Sequence, residues 1–134
     1  VEGMSESDLY AAIILEATRL GHRLFRNNRG RARYRAKSGE VYTVPYGMAE
    51  GASDLIGWTN QYIFTGTDTS TIPPTSGYRV LPVFTAIEVK RPGGRTDKRR
   101  LEQQTRFIEA VKAVGGIAGF VTSVEDYRKL VGAE

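Results

Sequence analysis

The sequence has no cysteine and only one histidine, and these two scarcities remove more chemistry than anything else in its composition. Without cysteine there is no disulfide, no thiolate nucleophile and no sulfur-ligated zinc site, a usage that fits an intracellular protein. His22 stands alone at the end of a helical pattern, where an interaction with the helix dipole or a plain surface role is expected. A histidine pair for a metal is excluded, so a metal site is expected to use oxygen ligands, which favours Mg2+ or Mn2+. There is no apolar run of membrane-spanning length and no signal-peptide pattern, and no membrane partner is expected. Val1-Glu2-Gly3 precede Met4 and are expected to be a remnant outside the natural chain.

What remains is a 134-residue chain, 40% hydrophobic and 25% charged, of a size for one domain over residues 4–134. Its net charge of +4 points to a polyanionic partner, and the distribution sharpens that. Between residues 19 and 37 lie eight basic residues and no acid, and residues 90–100 add six more, so fourteen of the nineteen cations occupy two short stretches.

Along the chain, residues 5–20 predict a helix capped by Ser5, with Leu9, Ile13, Ala17 and Leu20 as its apolar stripe. Glu6 sits one turn before that stripe, at the edge of the buried face. Residues 23–26 read as a short strand, Asn27-Asn28 and Gly30 as a turn, and the following run as its hairpin partner. In that run Arg29, Arg31, Arg33 and Arg35 alternate with small or aromatic residues, so a strand presents four guanidiniums on one face, suited to a phosphate backbone. Residues 40–44 are a further strand closed by Pro45. A glycine-spaced loop then leads to Asp54, which opens a short strand over residues 54–58, with a partner at residues 62–65. Residues 66–77, rich in Gly, Pro, Ser and Thr, read as a surface loop. A strand over residues 78–81 is interrupted at Pro82 before the central run. Beyond it, a helix capped by Thr96 runs to about residue 114 with Leu101, Gln104, Ile108 and Val111 on one stripe. A strand over residues 117–122 and a short helix opened by Ser123 complete the chain.

The central run is Phe84-Thr85-Ala86-Ile87-Glu88-Val89-Lys90. On a strand Glu88 and Lys90 project from one face, roughly 6 to 7 Å apart, while Val89 points into packing. An acid and a base at a strand end, followed by the turn Arg91-Pro92-Gly93-Gly94, can hold a divalent cation and a water beside a phosphate. Asp54 is a second candidate ligand. Glu-x-Lys alone is a common pattern, and on its own it reads as a plain surface ion pair.

The ordered set is more specific: Glu6; Phe25-Arg26-Asn27-Asn28; Gly51-Ala52-Ser53-Asp54-Leu55-Ile56-Gly57; Ile87-Glu88-Val89-Lys90; Gln104; Gly115-Gly116-Ile117-Ala118-Gly119. Over residues 4–127 it resembles the VRR-NUC family of the PD-(D/E)xK nuclease superfamily, in the small standalone form found in phages and bacteria. The segment between Asp54 and Glu88 is long for that family. The resemblance implies an α/β (α+β), restriction-endonuclease-like fold, a mixed central β-sheet flanked by α-helices. It further implies Mg2+ (or Mn2+) held by Asp54, Glu88 and the Val89 carbonyl, with Glu6 approaching the same site. Lys90 would position the attacking water and offset transition-state charge, and Gln104 would support that water or Lys90. Arg26, Arg29, Arg31, Arg33, Arg35, Arg91 and Arg95 are the candidate nucleic-acid contacts. The family likeness carries with it a homodimeric, structure-selective endonuclease for four-way (Holliday) DNA junctions, in bacterial or phage-infected cytoplasm. The competing readings are an endonuclease for flap or linear duplex DNA and a non-catalytic DNA-binding module.

Overall fold

Ser5 ends the extended entry to the first helix by accepting a hydrogen bond from Asp8 N–H, and the acids Glu6 and Asp8 complement the positive end of the helix dipole. The helix, α1 (Glu6–Arg19), buries Leu9, Tyr10, Ile13 and Ala17. The computed structural model describes residues 4–133, so the expected remnant at residues 1–3 lies outside the described residues. After α1 come β1 (Arg23–Arg26), β2 (Gly30–Arg35), β3 (Val41–Tyr46), β4 (Leu55–Asp68), β5 (Thr75–Val89), α2 (Lys98–Ala113), β6 (Ile117–Val121) and α3 (Val124–Leu130).

The fold is mixed α+β. Its main sheet has the order β1-β4-β5-β6, antiparallel except for the parallel pair β5–β6. Alternation along β5 sends Ile87 and Val89 to a core with Leu9, Ile13 and Ala17 of α1 and Tyr127 of α3. Ala86 faces the other way, into a core with Ile108 and Val111 of α2. The sheet is therefore sandwiched between α1 and α3 on one side and α2 on the other. Among the described residues no helix is long and apolar enough to cross a membrane.

Several sequence expectations need correction. The hairpin between residues 23–26 and the arginine-rich run does not form. β1 pairs with β4 in the main sheet, whereas β2 pairs with β3 in a separate two-stranded sheet. At the start of that separation, Asn27 donates its backbone N–H to the Asp54 carbonyl (2.8 Å) and its side-chain amide to the Ser53 carbonyl (3.0 Å). Gly57 permits the β1–β4 contact, because a Cβ there would fall 2.0 Å from the Arg23 carbonyl oxygen.

The two short strands expected over residues 54–65 are one long strand, and half of the loop expected at residues 66–77 is strand, with the turn confined to residues 69–74. β4 and β5 form a hairpin arm that extends beyond the reach of β1 and β6. Pro82 does not interrupt it. Its partner Asn60 turns its backbone N–H away from β5, to His22 Nδ1 at 3.1 Å, so this pair has no ladder hydrogen bond for proline to lose. His22 is thus a half-buried acceptor, and burial lowers its pKa, in place of the expected dipole or surface role. Pro45 likewise lies inside β3 instead of closing it. Asp97, not Thr96, caps α2, accepting from Arg100 N–H at 2.9 Å, and Leu101 lies outside the buried stripe.

Candidate active site

The start of β4 and the end of β5 meet because the strands are antiparallel neighbours, and each brings an acid to that meeting point. Asp54 directly precedes β4, and its Oδ2 accepts a hydrogen bond from Val89 N–H at 3.0 Å. Asn27 holds the Asp54 carbonyl from the other side. Glu88 shares the α2 face of β5 with Ala86 and is only 2% exposed. Gly51, at φ +84°, lets the incoming loop lie against α2, where a Cβ would approach the Gln103 carbonyl to 2.7 Å.

The electrostatics follow from that placement. Burial, then the neighbouring Asp54 carboxylate, pushes Glu88 well above the usual carboxylate range, and Lys90 and Arg100 offset only part of this. Two carboxylates thus converge in a buried setting that disfavours charging both. Lys90 stands just past β5 with its Nζ fixed by two neutral acceptors, Thr96 Oγ1 and Gln104 Oε1, both at 2.7 Å. Its ammonium also lies 5.7 Å from the Phe120 ring centroid. Gln104 is 4% exposed, so the amide on the apolar stripe of α2 is spent on Lys90.

Glu6 lines the same cleft, of about 300 Å3, as Asp54, Glu88, Val89, Lys90 and Gln104. Arg91, Arg95 and Arg100 complete its basic wall. Glu6 Oε1 accepts from the Tyr10 hydroxyl, and burial, with Glu6 and Asp54 nearby, raises the Tyr10 pKa. Arg26 covers the Tyr10 ring at 4.8 Å. The other arginines are farther out. Arg29 donates to the Ala49 carbonyl at 3.2 Å, while Arg31, Arg33 and Arg35 project from β2 and are not among the residues lining this cleft.

Sequence reasoning missed Tyr10, Thr96 and Arg100 as parts of the site, and gave Asn27 no role although it stands in the ordered set. Tyr10 follows Glu6 by one helical turn, and Thr96 follows Lys90 across a glycine turn, so spacing alone carried a trace of both. Asn27 and Arg100 depend on contacts between distant segments.

The donor chemistry fits a hard divalent cation: two convergent carboxylates, one strongly disfavoured as an anion, beside the Val89 peptide and Glu6. Among the described residues no three Asp, Glu, His or Cys side chains gather as a cation-binding group unaided. The residues that could hold such a cation are Asp54 and Glu88, with Glu6 lining the same cleft. In comparisons with known proteins, no family model, curated protein or solved structure matches the chain.

Proposed function

We propose that the protein is a Mg2+-dependent DNA endonuclease of the PD-(D/E)xK type, a VRR-NUC-like enzyme that hydrolyses phosphodiester bonds in branched DNA. The observation that carries this reading is the buried Glu88 beside Asp54, with Lys90 locked onto Gln104 and Thr96 at the same strand end. A structural ion pair does not account for it, because Lys90 spends its hydrogen bonds on neutral groups.

Asp54, Glu88 and the Val89 carbonyl would hold the cation, with Glu6 at the edge. Bound there, Mg2+ supplies Lewis-acid polarisation of the phosphoryl group and lowers the pKa of a bound water. Lys90 orients the attacking water and donates to the phosphoryl oxygens as negative charge builds on them. Gln104 and Thr96 keep the ammonium from collapsing onto the carboxylates. Arg91, Arg95 and Arg100 hold the flanking phosphates.

The arm supports a homodimer, the arrangement in which paired sites cut opposing strands of a four-way junction. On one face Trp58, Tyr62 and Phe64 lie opposite Phe84, Val80 and Tyr78. All six are exposed, Tyr62 by 72%, and the span from Thr59 to Val83 carries one acid and one base. A fully accessible aromatic side chain presents ~150–250 Å2, so five rings about half exposed, with Val80, offer on the order of 400–700 Å2, approaching the ~800 Å2 per partner of a standard interface. Its uncharged chemistry suits a second copy better than phosphate.

End-labelled four-way junction, flap and linear duplex DNA, incubated with Mg2+ or EDTA and with the parent or Glu88→Ala, test the function. Paired cuts in the junction, lost with EDTA and with Glu88→Ala, are expected. Cutting of flap or linear duplex instead reassigns the substrate. DNA binding without metal-dependent cutting of any substrate sinks the nuclease reading in favour of a binding module.

A further inference from the structure

The two-stranded sheet of β2 and β3 has faces of opposite chemistry. Arg31, Arg33 and Arg35 share one face with their cross-strand partners Pro45, Thr43 and Val41. The other face carries Tyr34 opposite Tyr42, Ala32 opposite Val44, and Tyr46 opposite Gly30. All three tyrosines are half exposed, and neither strand contributes to the two apolar cores. Tyr34 and Tyr42 stack with centroids 5.7 Å apart and planes 24° from parallel. The Tyr46 ring lies directly over Gly30, where a Cβ would come within 2.6 Å of its hydroxyl.

A groove connects this ribbon to the carboxylates. A cleft of about 450 Å3 lined by Arg29, Arg31 and Tyr46 shares Arg29 and Glu50 with a second cleft of about 340 Å3. That cleft in turn shares Arg100 and Gln104 with the candidate active site. The two acids along the way are engaged, Glu50 with Gln103 Nε2 (3.2 Å) and Asp97 with Arg100 N–H (2.9 Å).

We propose that the tyrosine face is a stacking site for unpaired nucleobases, so that the ribbon receives a single-stranded segment where a duplex opens. The groove leads that strand from the candidate site past Arg100 and Arg29 to Tyr46, Tyr34 and Tyr42, and the arginine face holds phosphates of the flanking strand. Aromatic rings accept any base because every base has a π face. Charge complementarity selects nucleic acid over an apolar partner: between residues 29 and 46 five cations face one acid, Glu40. The direction of the strand rests on the proposed nuclease site, but binding at the ribbon does not.

The test measures binding by the full chain in EDTA, where no cleavage contributes. Labelled forked duplex with a single-stranded arm is compared with blunt duplex, with 2-aminopurine in the arm as a stacking probe. The parent should prefer the fork by about tenfold or more and quench the probe. Tyr46→Leu and Tyr34→Leu should each remove about tenfold of fork affinity, with blunt duplex unchanged, while Tyr46→Phe and Tyr34→Phe keep the preference. Arg31→Ala should weaken both substrates. Circular dichroism matching the parent, with rescue by the Phe variants, separates lost stacking from lost folding. Equal affinity of the parent for fork and blunt DNA, or Leu variants with an intact preference, overturns the proposal. So does a Leu variant that changes the sedimentation mass and not DNA affinity, which would make the face a contact between copies. Missing Mg2+-dependent cleavage, in contrast, counts only against the nuclease reading.

Discussion

The Asp54 carboxylate accepts a hydrogen bond from the backbone N–H of Val89 at 3.0 Å, which ties the start of β4 to the end of β5 where each carries an acid. Glu88 is consequently held beside Asp54 by backbone geometry, and the cost of burying it is borne by the fold.

A cation that relieves this repulsion should stabilise the folded chain. Mg2+ at about 100 times its dissociation constant adds about 2.7 kcal/mol, equivalent to several degrees in Tm for a domain of this size. Differential scanning fluorimetry should show that rise for the parent and not for Glu88→Ala or Asp54→Ala. An equal rise in all three would place the cation elsewhere.

Lys90 depends on Gln104 for its position. Gln104→Ala should lower the rate of cleavage by about 10- to 100-fold, less than the ~100- to 10,000-fold expected for Lys90→Ala, and leave the Mg2+-induced Tm rise intact. A full rate in Gln104→Ala would mean that Thr96 alone suffices to hold the ammonium.

Arg31, Arg33 and Arg35 share one face of β2. Replacing all three with alanine should weaken binding to any DNA and reduce the slope of log affinity against log salt by about 2.7, at ~0.9 per lost phosphate contact. An unchanged slope would remove that face from the interface.

The apolar face of the arm should govern oligomeric state. Tyr62→Ser with Tyr78→Ser, both on exposed positions, should shift sedimentation from dimer toward monomer without altering the circular dichroism spectrum. A parent that sediments as a monomer at every concentration would end the dimer proposal.

Glu16 on α1 bonds Arg19 and reaches Arg128 on α3, and Arg19 and then Arg128 hold its carboxyl down at about 2. A folded pKa below the unfolded value of about 4.5 gives stability that is present above pH 4.5 and lost as pH falls toward 2. Thermal melts of the parent and Glu16→Gln should therefore differ at pH 7 and converge by about pH 2. A constant gap across that range would show that the charge is not what Glu16 contributes.

The local elements were legible because their causes are local. Ser5 with Asp8 and Ser123 with Asp126 form the expected caps, and the stripe of Leu9, Ile13 and Ala17 is buried as its period requires. Glu88 and Lys90 were found by strand alternation, and Asp54 by its place at the opening of the next apolar run. A threonine before a helix reads as a cap, whereas Asp97 takes that role and Thr96 bonds Lys90.

Pairing was another matter. Nothing near Asn27 states that β1 belongs beside β4, about thirty residues away, or that Thr-, Pro- and Gly-rich residues 59–83 stay extended as one arm. Composition and periodicity determined the helices, the strand that carries Glu88 and the oxygen-only chemistry open to the chain, because those follow from side-chain type and spacing. Only the tertiary structure decided that Asp54, Glu88, Lys90 and Gln104 meet and that the arginines of β2 back a tyrosine face. Those outcomes depend on which strands share backbone hydrogen bonds, a choice set by the free energy of the whole packed chain.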